Sequence, residues 1–271
     1  MSEHQSPTEH SADLLYSKAE HIATITFNRP ERQNTISGPM LSKLCDYLLE
    51  ADADNEVRAI VISGSGKFFC AGLDLRGSDI TNNLSESKRS PATLDLRNTP
   101  PTILHNIDTP TIAAINGSAA GYGMDLALGC DMRIMADTAK LAAAFTARGV
   151  VPESGGTWIL PRLIGWAKAS EIIFTGKTLT AAESLAMGLV SKIVNNNEVG
   201  AAADEMAQAV AGRAPLAVQA SKRMMRMGMN ETFNDHVHHV FLQLLPLFQS
   251  EDFKEGMASF MEKRPPKFEG R

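Results

Sequence analysis

Residues 116–131 read NGSAAGYGMDLALGCD, a run of small residues and glycines that continues into an apolar, helix-like segment. Chains use such runs to bring bare backbone amides close to a negatively charged group. Three explanations are open: a dinucleotide phosphate, an oxyanion that exists only during a reaction, or close packing of two elements without any ligand. The dinucleotide fingerprint GxGxxG would need a glycine at 126 after Gly121 and Gly123. The chain has Leu126 there, so the spacing excludes it.

Short β-like runs lie on both sides of this segment and alternate with helical periodicity. The runs cover 22–27, 58–63, 111–115, 132–136 and 190–194. Between the first two runs, residues 39–51 carry apolar side chains at helical spacing. This alternation predicts an α/β fold with a largely parallel sheet and crossover helices.

The C-terminal part has a different character, because helical segments follow one another from residue 198 onward. Pro215 stands where a helix would begin, and Gly228 stands near where it would end. We therefore predict a flexible tail at 1–12, a core at 13–197 and a helical oligomerisation region at 198–271.

Composition restricts the classes of function. The chain carries 26 basic and 31 acidic side chains in 271 residues, and its net charge of −5 argues against general nucleic-acid binding. No window approaches about eighteen apolar residues, which predicts a soluble protein without a membrane partner. The three cysteines show no CxxC spacing, and the histidines at 236–239 lack the further ligands that zinc needs. We therefore expect a reducing, cytoplasmic location and no metal.

Two glycine-containing turns have similar form, FFCAGLDL at 68–75 and AAGYGMDL at 119–126. Each is expected at or just after the end of a strand, and each frees the amide of the residue that follows a glycine, Leu73 or Tyr122. Two such donors aimed at one oxygen would stabilise a developing thioester enolate or a tetrahedral oxyanion.

These turns and their surroundings resemble the crotonase family, the enoyl-CoA hydratases and isomerases. The matching segments occur in the family's order and cover nearly the whole chain after the tail. They are TFNRPERQNT at 26–35, FFCAGLDL at 68–75, INGSAAGYGMDLALGCDMRIMAD at 115–137, GVVPESGGTWILPRLIG at 149–165, FTGKTLTAAESLAMGLVSKIV at 174–194 and SEDFKEGMASFMEKRPPKF at 250–268.

The resemblance implies a crotonase-like superhelix of ββα units whose C-terminal helices assemble trimers or dimers of trimers. It also implies an acyl-CoA substrate, with the thioester oxygen held by the backbone amides of Leu73 and Tyr122. Coenzyme A is then part of the substrate, and no separate cofactor is required.

The catalytic carboxylates are where the chain leaves the usual pattern of the family. Typical hydratases of this family hold a water between two glutamates. The first of these positions is Asp125 here, and the second is Phe145, whose ring can neither take nor give a proton. The resemblance to some isomerases of the family implies Glu153 as the general acid/base, with Asp125 as a catalytic or water-positioning group. We expect apolar side chains to wall the Glu153 carboxylate: Phe145, Val150, Val151 and Trp158.

The resemblance also implies residues that contact the rest of the substrate. The positions expected at coenzyme A are Arg29, Arg32, Ala71 and Lys263. Phe145 and Trp158 are expected to line the acyl pocket. The polar, turn-rich segment 76–105 is expected to form a mobile loop beside it.

The sequence thus predicts an enoyl-CoA hydratase or isomerase that works through an oxyanion-stabilised enolate. Hydration of a 2-enoyl-CoA and double-bond isomerisation are both open at this point, and Phe145 favours isomerisation. A CoA-thioester or carbon–carbon hydrolase on the same site is one alternative. The other is an oligomeric protein that binds CoA esters without turnover.

Overall fold

The computed structural model describes residues 12–74 and 99–271. All of the predicted tail except Ala12 lies outside these residues, as does most of the predicted loop at 76–105. The end of that segment is helical rather than a loop, because two prolines occupy the first turn of a helix where missing N–H groups cost nothing. Ile103 and Leu104 of this helix are buried.

Ten strands and ten α-helices lie in the described residues. The strands are β1 (Leu14–Ala19), β2 (Ile22–Phe27), β3 (Ala59–Gly64), β4 (Phe68–Cys70), β5 (Thr111–Ile115), β6 (Ser118–Ala120), β7 (Met132–Ala136), β8 (Lys140–Ala142), β9 (Thr178–Thr180) and β10 (Lys192–Val194). The helices are α1 (Gly38–Ala53), α2 (Pro100–Asn106), α3 (Tyr122–Gly129), α4 (Gly156–Ile164), α5 (Trp166–Thr175), α6 (Ala181–Ala186), α7 (Val199–Ala211), α8 (Pro215–Gly228), α9 (Phe233–Leu247) and α10 (Glu251–Glu262).

A six-stranded sheet forms the centre of the molecule in the order β1-β2-β3-β5-β7-β10. Only the β1–β2 pair is antiparallel, and each of the other neighbours is parallel. All five residues of β5 are buried, as expected for a parallel strand covered on both faces. The predicted strands at 22–27, 111–115 and 132–136 are confirmed residue by residue.

A smaller sheet of three-residue strands lies beside the first, in the order β4-β6-β8-β9. Its first three strands run parallel to one another. The chain alternates between the sheets, since β5 is followed by β6 and α3, and β7 by β8 and α4. This repeat of two strands and a helix is the predicted ββα unit, and the α/β fold class is confirmed.

The helical C-terminal region begins with α7 at Val199, next to the predicted start at 198. Helix α7 packs against β3, β5 and β7, and its residues Val199, Ala203 and Ala207 belong to the main core. Helix α9, in contrast, has no buried residue. The division at 197 stays a prediction, and the structure adds that the first helix after it packs on the main sheet. Across the described residues, every helix is too short or too polar to span a membrane.

Candidate active site

The two glycine turns meet at one edge of the small sheet. Strands β4 and β6 are paired in parallel, so their carboxyl ends lie side by side. Gly72 and Gly121 both adopt positive φ, at +101° and +53°, which glycine tolerates best. A Cβ placed on Gly72 would lie 2.9 Å from the Ala120 oxygen and 3.6 Å from the Tyr122 nitrogen. The predicted donor segments are therefore in contact.

The backbone around both candidate donors is held firmly. Ile36 donates its amide to the Gly72 oxygen at 2.9 Å, and Asp74 donates to the Ile36 oxygen at 2.9 Å, so hydrogen bonds flank Leu73 on both sides. Tyr122 is the first residue of α3, where an N–H has no partner within the helix and the helix dipole is positive. Within the described part of the chain, neither the Leu73 nor the Tyr122 amide donates a hydrogen bond to the protein. Both donors are thus available to a ligand oxygen.

The residues expected to contact coenzyme A differ in exposure and in the hydrogen bonds that they already make within the protein. Arg29 is buried, and its guanidinium donates to the Asp74 carboxylate at 3.1 Å and to the Thr35 oxygen at 2.9 Å. Arg32 contacts the same Asp74 oxygen at 3.3 Å, but its side chain is 55% exposed. The Ala71 amide donates to the Gln33 oxygen at 3.0 Å. The contacts of these residues with coenzyme A stay predictions. Arg29 also links the Thr35 backbone to the Asp74 carboxylate.

Lys263 and Trp158 lie on other elements. Lys263 is exposed at the C-terminal end of α10, and its role also stays a prediction. The Trp158 and His105 rings form an edge-to-face pair with ring centres 5.1 Å apart, and the Arg162 guanidinium carbon lies 3.9 Å from the centre of the Trp158 ring. Trp158 therefore joins α4 to α2, the helix that follows the segment outside the described residues.

Phe145 reaches the same edge of the small sheet from β8. Strand β8 pairs with β6, and the Gly121 amide donates to the Ala142 oxygen at 3.0 Å. The Phe145 ring is buried, and one of its edge carbons lies 4.0 Å from a Cβ placed on Gly121. An apolar wall thus stands beside the second turn at the position where hydratases of the family place a glutamate.

Asp125 is an almost completely buried carboxylate, only 2% exposed, one turn after Tyr122 in α3. Its Oδ2 accepts the Ser154 hydroxyl at 2.8 Å and the Gly156 amide at 3.2 Å. Burial raises the pKa of Asp125 from 3.8 to about 7, with the charge of Glu153 adding to the rise, although both hydrogen bonds oppose it. Asp125 is therefore near its titration point at neutral pH.

Glu153 does not have the apolar enclosure that the sequence predicts. Its side chain is exposed, and so are Val150 and Val151. Of the four apolar residues expected around it, Phe145 is buried and Trp158 is half-buried. The carboxylate remains near the turns, since its charge acts on both Asp125 and the buried Tyr122 phenol, whose pKa is raised chiefly by burial.

Sequence reasoning misses two contributors to this site, Ser154 and Asp74. Each directly follows a residue that the sequence singles out, Glu153 or Leu73. That adjacency is a weak signal, because the partners that give them a role lie 29 and 45 residues away in the chain.

The family model for enoyl-CoA hydratase/isomerase matches residues 17–271. The chain belongs to the enoyl-CoA hydratase/isomerase family. It is 34% identical over 260 residues to the short-chain-enoyl-CoA hydratase of Clostridium acetobutylicum, a match that covers 95% of this chain and 97% of that protein. It is 36% identical over 258 residues to the human enoyl-CoA hydratase domain-containing protein 2, mitochondrial, covering 92% and 86%.

Solved structures of enoyl-CoA hydratases have the same fold. The enoyl-CoA hydratase from Bacillus anthracis superposes with a TM-score of 0.86 at 30% identity, covering 96% of this chain and all of that one. Membership of the crotonase family and its fold are therefore confirmed. The roles of individual site residues and the cytoplasmic location stay predictions, and the human relative is named as mitochondrial.

Proposed function

We propose that this enoyl-CoA hydratase/isomerase family member moves protons on an enoyl-CoA thioester, with Glu153 as general acid/base. The amides of Leu73 and Tyr122 bind the thioester oxygen. The contact between the two glycine turns at the paired ends of β4 and β6 carries this proposal. Two fixed backbone donors aimed at one oxygen stabilise the charge that develops there in the transition state.

The side chains around the turns support double-bond isomerisation. Glu153 removes a proton from the α carbon of a 3-enoyl thioester, and the electron pair of the C–H bond moves through the carbonyl to make the oxyanion. The same carboxyl then returns a proton to the γ carbon, and the double bond ends between the α and β carbons. One carboxylate suffices for this sequence. Phe145 supports it, because a buried phenyl ring replaces the second glutamate.

Hydration of a 2-enoyl thioester is the second candidate. The observation in its favour is the pKa of Asp125, which burial raises to about 7, a value that suits a group that gives and takes protons at neutral pH. In that case Asp125 and Glu153 would form an altered pair. Neither reaction is a redox step, and backbone amides would supply the oxyanion stabilisation that a metal could otherwise give, so we propose that turnover needs no metal or redox cofactor and survives dialysis against a chelator.

The test is to incubate the purified protein with 2-enoyl-CoA and 3-enoyl-CoA substrates of several chain lengths and to follow the products by mass. Isobaric conversion supports isomerisation, gain of water supports hydration, and release of free coenzyme A supports a hydrolase. Binding without turnover supports the non-catalytic alternative.

The variant Glu153→Gln tests the assignment of the base. Turnover is expected to fall by about 10²-fold or more, the usual worth of a positioned acid/base. Glu205→Gln is the matched control, since Glu205 is an exposed carboxylate on α7 whose ion-pair partner among the described residues is Lys192 at 3.6 Å. Unchanged turnover in Glu153→Gln would rule out this proposal.

We further propose a homo-oligomer, a trimer or a dimer of trimers. Support comes from α9, which carries exposed apolar side chains on a helix without a buried residue: Phe233, Val237, Val240, Phe241, Leu242 and Leu245. Such a surface is unfavourable in water and typical of an interface. Light scattering coupled to size exclusion measures the mass directly, and Phe241→Asp is expected to reduce it.

A further inference from the structure

The Asp125 carboxylate holds the segment that carries Glu153. Both of its hydrogen bonds run to residues 154–156, one from the Ser154 hydroxyl at 2.8 Å and one from the Gly156 amide at 3.2 Å. These donors follow Glu153 by one and three residues. The carboxylate therefore connects α3, which begins with the Tyr122 amide, to the turn on which Glu153 stands.

The fit between Asp125 and this turn is close. A Cβ placed on Gly156 would lie 2.3 Å from Oδ1 and 2.6 Å from Oδ2 of Asp125, far inside van der Waals contact. Gly155 adopts a φ of +94°, so the backbone bends sharply just before α4 begins. Asp125 also lies against the N-terminus of α4, where a negative or hydrogen-bond-accepting group is favourable. Gly155 and Gly156 thus allow the backbone of the turn to lie in direct contact with the Asp125 carboxyl group.

Glu153 has no comparable anchor of its own. Its side chain is exposed, and within the described residues it accepts no hydrogen bond from the protein. On its N-terminal side Val150 and Val151 are exposed as well, whereas Pro152, next to Glu153, is buried. The hydrogen bonds from Ser154 and Gly156 to Asp125 therefore fix the backbone on the C-terminal side of Glu153.

We propose that Asp125 is the positioning residue for Glu153, acting through Ser154 and Gly156 rather than on the substrate. This inference rests on the proposed function, since it assigns Glu153 the proton transfer. Both hydrogen bonds end on the same atom, Oδ2. A single amide oxygen at this place can therefore do the same work, whereas a group that transfers protons cannot be replaced by an amide.

The experiment compares Asp125→Asn with Asp125→Ala in steady-state turnover of the substrate accepted by the wild-type chain. Asp125→Asn is expected to keep kcat within about 10-fold, because it retains the acceptor. Asp125→Ala is expected to lower kcat by about 10²-fold with KM little changed, as displacement of a catalytic group by about 1 Å does. Ser154→Ala removes one donor without altering α3 and is expected to lie between them.

Hydrogen exchange of peptides covering 150–158, followed by mass spectrometry, provides a readout that does not depend on activity. Exchange is expected to accelerate in Asp125→Ala and to stay near the wild-type rate in Asp125→Asn. Asp52→Ala is the matched control, since Asp52 also accepts two backbone amides of another segment, those of Asp108 and Thr109 at 3.1 and 2.9 Å. It should leave kcat and this exchange unchanged.

Two outcomes overturn the inference while leaving the proposed function intact. The first is an Asp125→Asn variant as inactive as Asp125→Ala, which would make Asp125 a proton-transfer group. The second is an Asp125→Ala variant with wild-type kcat and exchange. Full activity of Glu153→Gln is the separate result that would remove the proposed function itself.

Discussion

The Arg29 guanidinium and the Asp74 carboxylate form a buried ion pair, with Nη2 of Arg29 3.1 Å from Oδ2 of Asp74. Both side chains are only 9% exposed. Asp74 directly follows Leu73, so the pair fixes the backbone beside one of the two candidate oxyanion donors. The contact also joins the segment before α1 to the turn after β4.

Replacement of Arg29 by methionine is expected to lower the free energy of unfolding by about 3–5 kcal/mol, because the Asp74 carboxylate loses its buried partner. Arg32→Met is the matched control, since Arg32 reaches the same oxygen at 3.3 Å from an exposed position. Arg32→Met should lower the free energy of unfolding by less than about 1 kcal/mol. Urea denaturation followed by circular dichroism measures both, and equal losses would contradict the distinction between the two arginines.

Gly72→Ala is expected to displace the first turn. Its φ of +101° strains any other residue, and the added Cβ would lie 2.9 Å from the Ala120 oxygen. If the Leu73 amide binds the thioester oxygen, kcat should fall by about 10²–10³-fold, the usual cost of losing one such donor. Gly200→Ala in α7 meets open space and should leave kcat unchanged while stabilising the helix by about 0.5–1 kcal/mol.

The stability of the chain should depend on pH through Asp125. Its pKa in the folded state is about 7, compared with 3.8 for an unperturbed group, so the folded state binds the proton more tightly than the unfolded chain. The stability that this proton contributes is complete below about pH 4 and is lost as pH rises towards 7. One pKa unit corresponds to about 1.4 kcal/mol, so a rise from 3.8 to about 7 corresponds to a loss on the order of 4 kcal/mol.

Asp125→Asn isolates this contribution, because asparagine stays neutral at every pH. The difference in unfolding free energy between the wild type and the variant, measured from about pH 4 to 8, should shift in favour of the variant as pH rises. A difference that is constant over this range would show that the carboxyl group has an ordinary pKa.

Phe145→Ala is expected to remove about 3–5 kcal/mol of stability, since it empties a buried site. If Phe145 lines the acyl pocket, the space beside Gly121 should also shift the ratio of kcat/KM values towards bulkier acyl chains. Phe27→Ala is the control, because Phe27 is fully buried against Phe69 in the core. It should cost similar stability without changing the acyl-chain profile.

Five of the six strands of the large sheet are predicted from the sequence, with β1 missed, whereas the strands of the small sheet are not. A strand such as TIAAI in β5 is buried on both faces and therefore appears as a continuous apolar run. The three residues SAA of β6 show neither alternation nor β-branched side chains, and only their pairing with β4 and β8 makes them a strand. Hydrophobic periodicity in the sequence therefore does not predict the small sheet, which positions the candidate site.

The segments that make up the candidate site can be predicted from the sequence, whereas the contacts that Ser154 and Asp74 contribute cannot. Backbone donors after Gly72 and Gly121 follow from glycine positions, and the family resemblance points to Asp125, Phe145 and Glu153. The exposure of Glu153 does not follow, because apolar neighbours in a loop do not determine which way a side chain points. The contact between Ser154 and Asp125 depends on tertiary packing alone.

Because β4 and β6 are paired in parallel, the groups that would bind an oxygen and the side chains that would transfer protons belong to different parts of the chain. The groups at its edge that can hold an oxygen belong to the main chain, so replacing the side chain of Leu73 or Tyr122 leaves the N–H in place. Phe145 and Glu153 stand on the next connection along the sheet, after β8, and alter the local chemistry without moving those N–H groups. If these N–H groups bind the substrate oxygen as proposed, single substitutions on this connection can change the reaction while that contact is kept.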